Sequence, residues 1–204
     1  MKTYFKVFVI FLSIMPILSH SVEKTTVLIV GDSLSSGYGL ESGSGWVSLL
    51  QQQLADSGSG IFLINDSISG DTTAGGLARI KDGMERHQPD AVIIELGGND
   101  GLRGMSPKSM EGNLTAIIGI ARQYGAKPML IGVKMPPNYG RAYTTAFENA
   151  YKKVSEETNT PLMENIVHDI GDNPALMQED GIHPNETAQP MMRDMVWAFL
   201  QPNL

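Results

Sequence analysis

Along this chain, nearly continuous apolar runs alternate with amphipathic stretches, and that alternation narrows the possible folds more than any other feature. The runs are TTVLIV (25–30), IFLIN (61–65), DAVIIELGG (90–98), KPMLIGVK (127–134) and PLMENIV (161–167). Strands covered on both faces read this way, because no position along them is left for solvent. Between them lie GWVSLLQQQLADSG, TTAGGLARIKDGMERHQ, SPKSMEGNLTAIIGIARQYG and TTAFENAYKKVSEETN. In the third, Met110, Leu114, Ile117, Ile118 and Ala121 recur at steps of three and four and make one inward stripe. A last helix is predicted over most of NETAQPMMRDMVWAFL, with Pro190 accommodated in its first turn. Helix following strand throughout predicts a single α/β domain, a three-layer α/β/α sandwich around about five mainly parallel strands joined by right-handed crossovers. In such a sheet the functional residues sit at the carboxyl ends of the strands, near the switch in strand order.

The first 21 residues carry Lys2 and Lys6, an apolar core from Val7 to Leu18 broken by Pro16, and small residues at Ser19 and Ser21. That core is short for a membrane span, and the pattern is that of an export signal cleaved after Ser21. The expected organisation is a signal peptide over 1–21 and one folded domain over 22–204, with a periplasmic destination and no stable membrane anchor once the signal is removed. Losing the two lysines takes the formal charge from −7 to −9. So acidic a chain is not expected to bind nucleic acid. It has no cysteine, which excludes both a disulfide framework and a thiol nucleophile. Nothing in the sequence demands more than a monomer.

Three predicted strand ends run into loops rich in glycine and small polar residues: GDSLSSG (31–37), NDSISGDT (65–72) and LGGNDG (96–101). Backbone N–H groups from such loops can converge on one small volume, which suits a developing oxyanion. A base must come from His20, His87, His168 or His183. His20 leaves with the signal, and His87 ends an amphipathic stretch, where a solvated histidine meets the helix dipole. His168 is followed by Asp169, a local pair. His183 stands in EDGIHPN, where Asp180 precedes it by three residues and Gly181 permits the turn that brings carboxylate to imidazole. Ser33 as nucleophile, His183 as base and Asp180 as orienting acid are the parts of an acyl-transfer triad. The same loop also reads as an ordinary turn whose Asp and His cap the next helix. Asp32, Asp66, Asp71 and Asp100 read as turn formers.

No phosphate loop, dinucleotide fingerprint or clustered set of metal ligands is present, so neither a cofactor nor a metal is expected. Met135 and Pro136, with Tyr139 close behind, follow the fourth predicted strand, and Met105 follows the third. By position these four are candidates for an adaptable apolar substrate groove.

GDSL with Ser33, SISGD with Gly70, GGND with Asn99 and DGIHP with Asp180 and His183 resemble, in order and placement, the four blocks of the SGNH/GDSL hydrolases. Strings between the blocks (ELGGNDGLRG, PPNYGRAY, EDGIHPN) are similar to the bacterial thioesterase and lysophospholipase branch of that family, also described as arylesterases, over essentially all of 22–204. The resemblance implies a flavodoxin-like fold and a Ser33 nucleophile. It further implies oxyanion donors from the backbone N–H of Ser33, that of Gly70 and the side-chain amide of Asn99. The activity it implies is broad esterase and thioesterase action on small acyl esters and thioesters, such as aryl esters, acyl-CoA and lysophospholipids, through an acyl-serine intermediate. Two alternatives stay open from the sequence. A carbohydrate O-deacetylase of the same superfamily would want a polar, aromatic-lined cleft, and a non-catalytic anion-binding protein would have no use for an oriented imidazole.

Overall fold

The computed structural model describes residues 24–204 and, before them, only Met1. The predicted signal segment, 1–21, thus lies outside the described residues apart from its first. Five parallel strands form one sheet: β1 (Thr25–Gly31), β2 (Ile61–Asn65), β3 (Ala91–Glu95), β4 (Lys127–Ile131) and β5 (Leu162–Met163), in the order β2-β1-β3-β4-β5. The order reverses between β1 and β3, so the connections leaving these two strands part in opposite directions and open a crevice at their carboxyl ends.

Because side chains alternate across a strand while the runs are apolar throughout, the sheet feeds two cores. Leu28, Val30, Val92, Ile94 and Leu130 face α3 (Thr73–His87), α5 (Pro107–Gln123) and α6 (Arg141–Thr158). Val27, Ile29, Ala91, Ile93, Met129 and Ile131 face α2 (Trp46–Asp56) and α7 (Gln189–Leu200). The stripe predicted from Met110 to Ala121 is buried, and Pro190 sits in the first turn of α7. No helix among the described residues is long and apolar enough to cross a membrane.

The departures from the expected elements are local: β3 and β4 end at Glu95 and Ile131, short of the runs that predict them. β5 is two residues long where PLMENIV promised seven. The Asn165 side chain accepts the N–H groups of Lys134 and Val167, which turns the chain off the sheet edge. Ile166 is apolar because it packs under that turn in the second core, not because it pairs in the ladder. Two short helices, α1 (Ser33–Ser36) and α4 (Gly98–Leu102), replace what read as loops after β1 and β3. Finally, α6 begins three residues before its periodic stretch, at Arg141, directly after Gly140.

Candidate active site

Gly31 ends β1, and Asp32 then caps α1 by accepting the N–H of Leu34 at 3.1 Å. This is the structural role the sequence suggested for that acid. It places Ser33 first in the helical turn, at the crevice between β1 and β3. From the far end of the chain, His183 Nε2 comes within 2.8 Å of Ser33 Oγ across a separation of 150 residues. Its Nδ1 lies 2.6 Å from Asp180 Oδ2. A carboxylate only accepts, so Nδ1 carries the ring proton and Nε2 is left with the lone pair that faces the serine hydroxyl.

The loop holding this pair is braced on itself and on its neighbours. Asp180 Oδ1 accepts the backbone N–H of Ile182 at 2.9 Å and that of His183 at 3.0 Å. Partial burial pushes the Asp180 carboxyl upward, but these N–H groups and the ring outweigh it and hold the group below the usual carboxylate range. Gln178 Nε2 donates to the carbonyls of Tyr38 and Pro184, pinning the loop to the segment after α1. The Tyr38 ring tilts against the imidazole, 4.7 Å between centroids.

Ser33 and His183 open onto a cleft of about 330 Å³. Asn99, in α4, lines the same wall, and its Nδ2 donates to Asp32 Oδ2 at 3.1 Å, leaving the second amide N–H without a partner among the described residues. Gly70 is not part of that wall. It lies on an exposed loop with φ of 81°, which a side chain would resist, and its carbonyl accepts from Arg103 at 2.9 Å. That loop is tied to α1 through Ser69 and Ser36, whose hydroxyls are 2.7 Å apart. Arg79 also binds it, pairing with Asp71 at 2.8 Å and Asp66 at 3.1 Å and donating to the Gly31 carbonyl. Asp100 accepts the N–H and hydroxyl of Thr73, joining α4 to the start of α3. Asp66, Asp71 and Asp100 thus link separate elements, and of the three side chains only that of Asp71 also bonds within its own turn among the described residues, accepting the Thr72 N–H at 2.9 Å.

Of the four groove candidates, the cleft takes two. Met135 and Pro136 line it, with Leu102, Val133, Pro137 and Ile182 as further apolar wall. Tyr139 and Met105 do not line it. Tyr139 packs on the first core and its hydroxyl donates to the Leu102 carbonyl, while the Met105 carbonyl is held by the hydroxyl of Tyr143. Both residues serve to anchor the chain around α4, which position after a strand end could not distinguish from facing the substrate.

Glu95 carries no functional signal in the sequence, where it stands within the apolar run DAVIIELGG. It ends β3 beneath Ser33, 1% exposed, accepting the Ser35 hydroxyl at 2.7 Å and facing the Asp32 N–H at 3.4 Å. Burial and the neighbouring Asp32 push its carboxyl well above the ordinary value. Burial likewise raises Asp32, itself 2% exposed, from 3.8 to about 6, against the downward pull of the Leu34 and Asn99 hydrogen bonds. His168 pairs with Asp169 at 2.9 Å, as its neighbour suggested, and both lie on the cleft wall well exposed. Among the described residues no group of three or more His, Cys, Asp or Glu is placed to hold a metal ion.

The profile of the GDSL-like Lipase/Acylhydrolase family matches residues 29–189. Esterase TesA of Pseudomonas aeruginosa is 45% identical over 188 residues, 92% of this chain and 94% of that protein. Thioesterase 1/protease 1/lysophospholipase L1 of Escherichia coli is 40% identical over 192 residues, 94% of this chain and 91% of that protein. The crystal structure of the esterase EstA from Pseudoalteromonas sp., inhibited by monoethylphosphonate, superposes with a TM-score of 0.85 at 43% identity, covering 88% of this chain and 98% of that one.

Proposed function

The chain belongs to the GDSL-like lipase/acylhydrolase family and is a broad-specificity esterase and thioesterase; from that premise we propose that it works through a covalent acyl intermediate on Ser33. The observation that carries this mechanism is the unbroken hydrogen-bond chain from Asp180 through His183 to the Ser33 hydroxyl. A serine hydroxyl is a weak nucleophile without a base in that position.

Ser33 Oγ attacks the acyl carbonyl carbon as its proton passes to His183 Nε2, and Asp180 steadies the imidazolium so formed. The carbonyl oxygen takes the negative charge, opposite the N–H of Ser33 and the free N–H of the Asn99 amide, and the loop tied to α1 by the Ser69–Ser36 contact supplies the N–H of Gly70 from beside the cleft. Preorganised donors of this kind are worth roughly 10²–10³ in rate each. Collapse expels the alcohol or thiol, which leaves with the proton from His183. Water then gives its proton to the same nitrogen and attacks the acyl-serine ester, and a second collapse releases the acid and restores Ser33.

The mixed wall of the cleft, with Met135, Val133 and Leu102 near Asn99 and His183, suits an acyl chain or aryl group of variable shape better than a sugar. Aryl esters, acyl-CoA and lysophospholipids are the proposed substrate range. The protein is proposed to act as an exported monomer, without nucleic-acid or metal partners. Export is supported by the charged and apolar pattern of residues 1–21, and a mature amino terminus at Val22 in exported material would check it.

The test is Ser33→Ala assayed with p-nitrophenyl esters of increasing chain length, acyl-CoA and a lysophospholipid. The variant should fold and lose turnover on all of them, and a serine-directed phosphonate should label the wild type at Ser33 alone. Retained turnover, or labelling elsewhere, rejects the mechanism.

A further inference from the structure

Two buried carboxyls lie directly behind the nucleophile and take no part in the proton transfers above. Asp32 divides its two oxygens: Oδ1 accepts the Leu34 N–H, and Oδ2 accepts Nδ2 of Asn99 at 3.1 Å. The contact to Asp32 is the one side-chain hydrogen bond that Asn99 makes among the described residues. A carboxamide with one partner has two orientations related by a half-turn, and only one of them aims N–H groups outward. We propose that Asp32 is a positioning residue that selects this orientation, so that the second Nδ2–H of Asn99 faces the oxyanion.

The selection follows from the chemistry of the two groups. As a carboxylate Asp32 can only accept, so it binds the NH₂ end of Asn99 and repels the carbonyl end. Turned over, Asn99 would set oxygen against oxygen at Asp32 and withdraw its donor from the substrate. Asp32 is itself prevented from swinging, because its other oxygen is spent on the helix cap and its own N–H faces Glu95 Oε2. The restraint therefore runs from the ends of β1 and β3, through Asp32, to the amide on α4. Asn is the substitution that isolates this role. It keeps the shape and an oxygen for the Leu34 cap, but it places an NH₂ group against Asn99, which then binds equally well or better through its carbonyl.

The inference rests on the proposed function, since it assumes that Asn99 is a donor to the oxyanion. It is tested by a double-mutant cycle of Asp32→Asn and Asn99→Ala on a short aryl ester, with kcat and KM measured separately at pH 8. Asn99→Ala should lower kcat by roughly 10²–10³. Asp32→Asn alone should lower kcat at least tenfold with KM within about a factor of two. In the Asn99→Ala background the same substitution should cost less than about threefold, because the amide it orients is gone. Equal fractional losses in both backgrounds, or an Asp32→Asn enzyme with wild-type kcat, overturn the positioning role while leaving the Ser33 mechanism standing. Wild-type kcat in Asn99→Ala overturns this inference together with the oxyanion assignment. Circular dichroism and the thermal midpoint of each variant separate loss of fold from loss of orientation.

Discussion

Replacing Asp32 by Asn should make the protein more stable at neutral pH, even as it slows the reaction. The unfolded carboxyl titrates near 3.8 and the folded one near 6, because burial penalises its charge more than its hydrogen bonds reward it. Between those values the native state holds a proton that the unfolded state has released, so unfolding free energy falls as pH rises through that window. Stability from the protonated acid is fully present below about pH 4 and lost above about pH 6. A displacement of roughly two pH units corresponds to about 3 kcal/mol at most, at about 1.4 kcal/mol per unit. Asn has no charge to bury, and it also relieves Glu95, whose carboxyl the Asp32 charge pushes further up. The measurement is urea unfolding of wild type and Asp32→Asn at intervals from pH 4 to 8. The variant's advantage should grow by about 1–3 kcal/mol across that range, with most of the growth before pH 6.5. A difference that stays constant within about 0.5 kcal/mol, or one that shrinks with rising pH, refutes the argument that a buried charge is held there against its own solvation.

Met135 is 6% exposed and both lines the cleft and packs in the first core, so Met135→Ala should lower stability by about 2–4 kcal/mol in urea unfolding and shift preference toward longer acyl chains in a p-nitrophenyl ester series. Asp180→Asn should lower kcat by about 10²–10⁴ with little change in KM, since it disturbs the proton position on His183 and not the cleft. Gly97 has φ of 123° and the space a Cβ would enter is held by the hydroxyl of Tyr151 and the sulfur of Met110, so Gly97→Ala should cost about 2–4 kcal/mol, seen as a fall of roughly 5–15 °C in the thermal midpoint.

The parts of the molecule that could be read from sequence are those where one local pattern has one physical cause. Val27 to Val30 are apolar at every position because both faces of β1 are covered, and the structure divides them two and two between the cores. Ser33, Asp180 and His183 were legible because a nucleophile, a base and an acid at a turn have few other reasons to occur together. Glu95 was not, since a glutamate ending an apolar run looks like a residue meeting solvent, and only the return of α1 over the strand end buries it. Tyr139 and Met105 misled for a related reason. Their places after strand ends are what a groove residue would have, but whether a side chain faces the crevice or the core depends on α4 and α6, whose contacts span some 40 residues.

Each strand end at the crevice is joined to its neighbour by a polar side chain reaching across, and this explains how loops can supply precise donors. Arg79 reaches from α3 to the acids flanking the Gly70 loop and to the carbonyl that ends β1. Asp100 holds α4 to the first residue of α3, and Gln178 holds the His183 loop to Tyr38. Asp32 completes the set by joining the nucleophile's turn to Asn99. An oxyanion site gains from donors that need not reorganise when charge develops. Glycine-rich loops would not provide that alone, since each glycine adds freedom that must be removed. The cross-links remove it, and the two carboxyls buried beneath Ser33 are where that order is bought at the expense of stability.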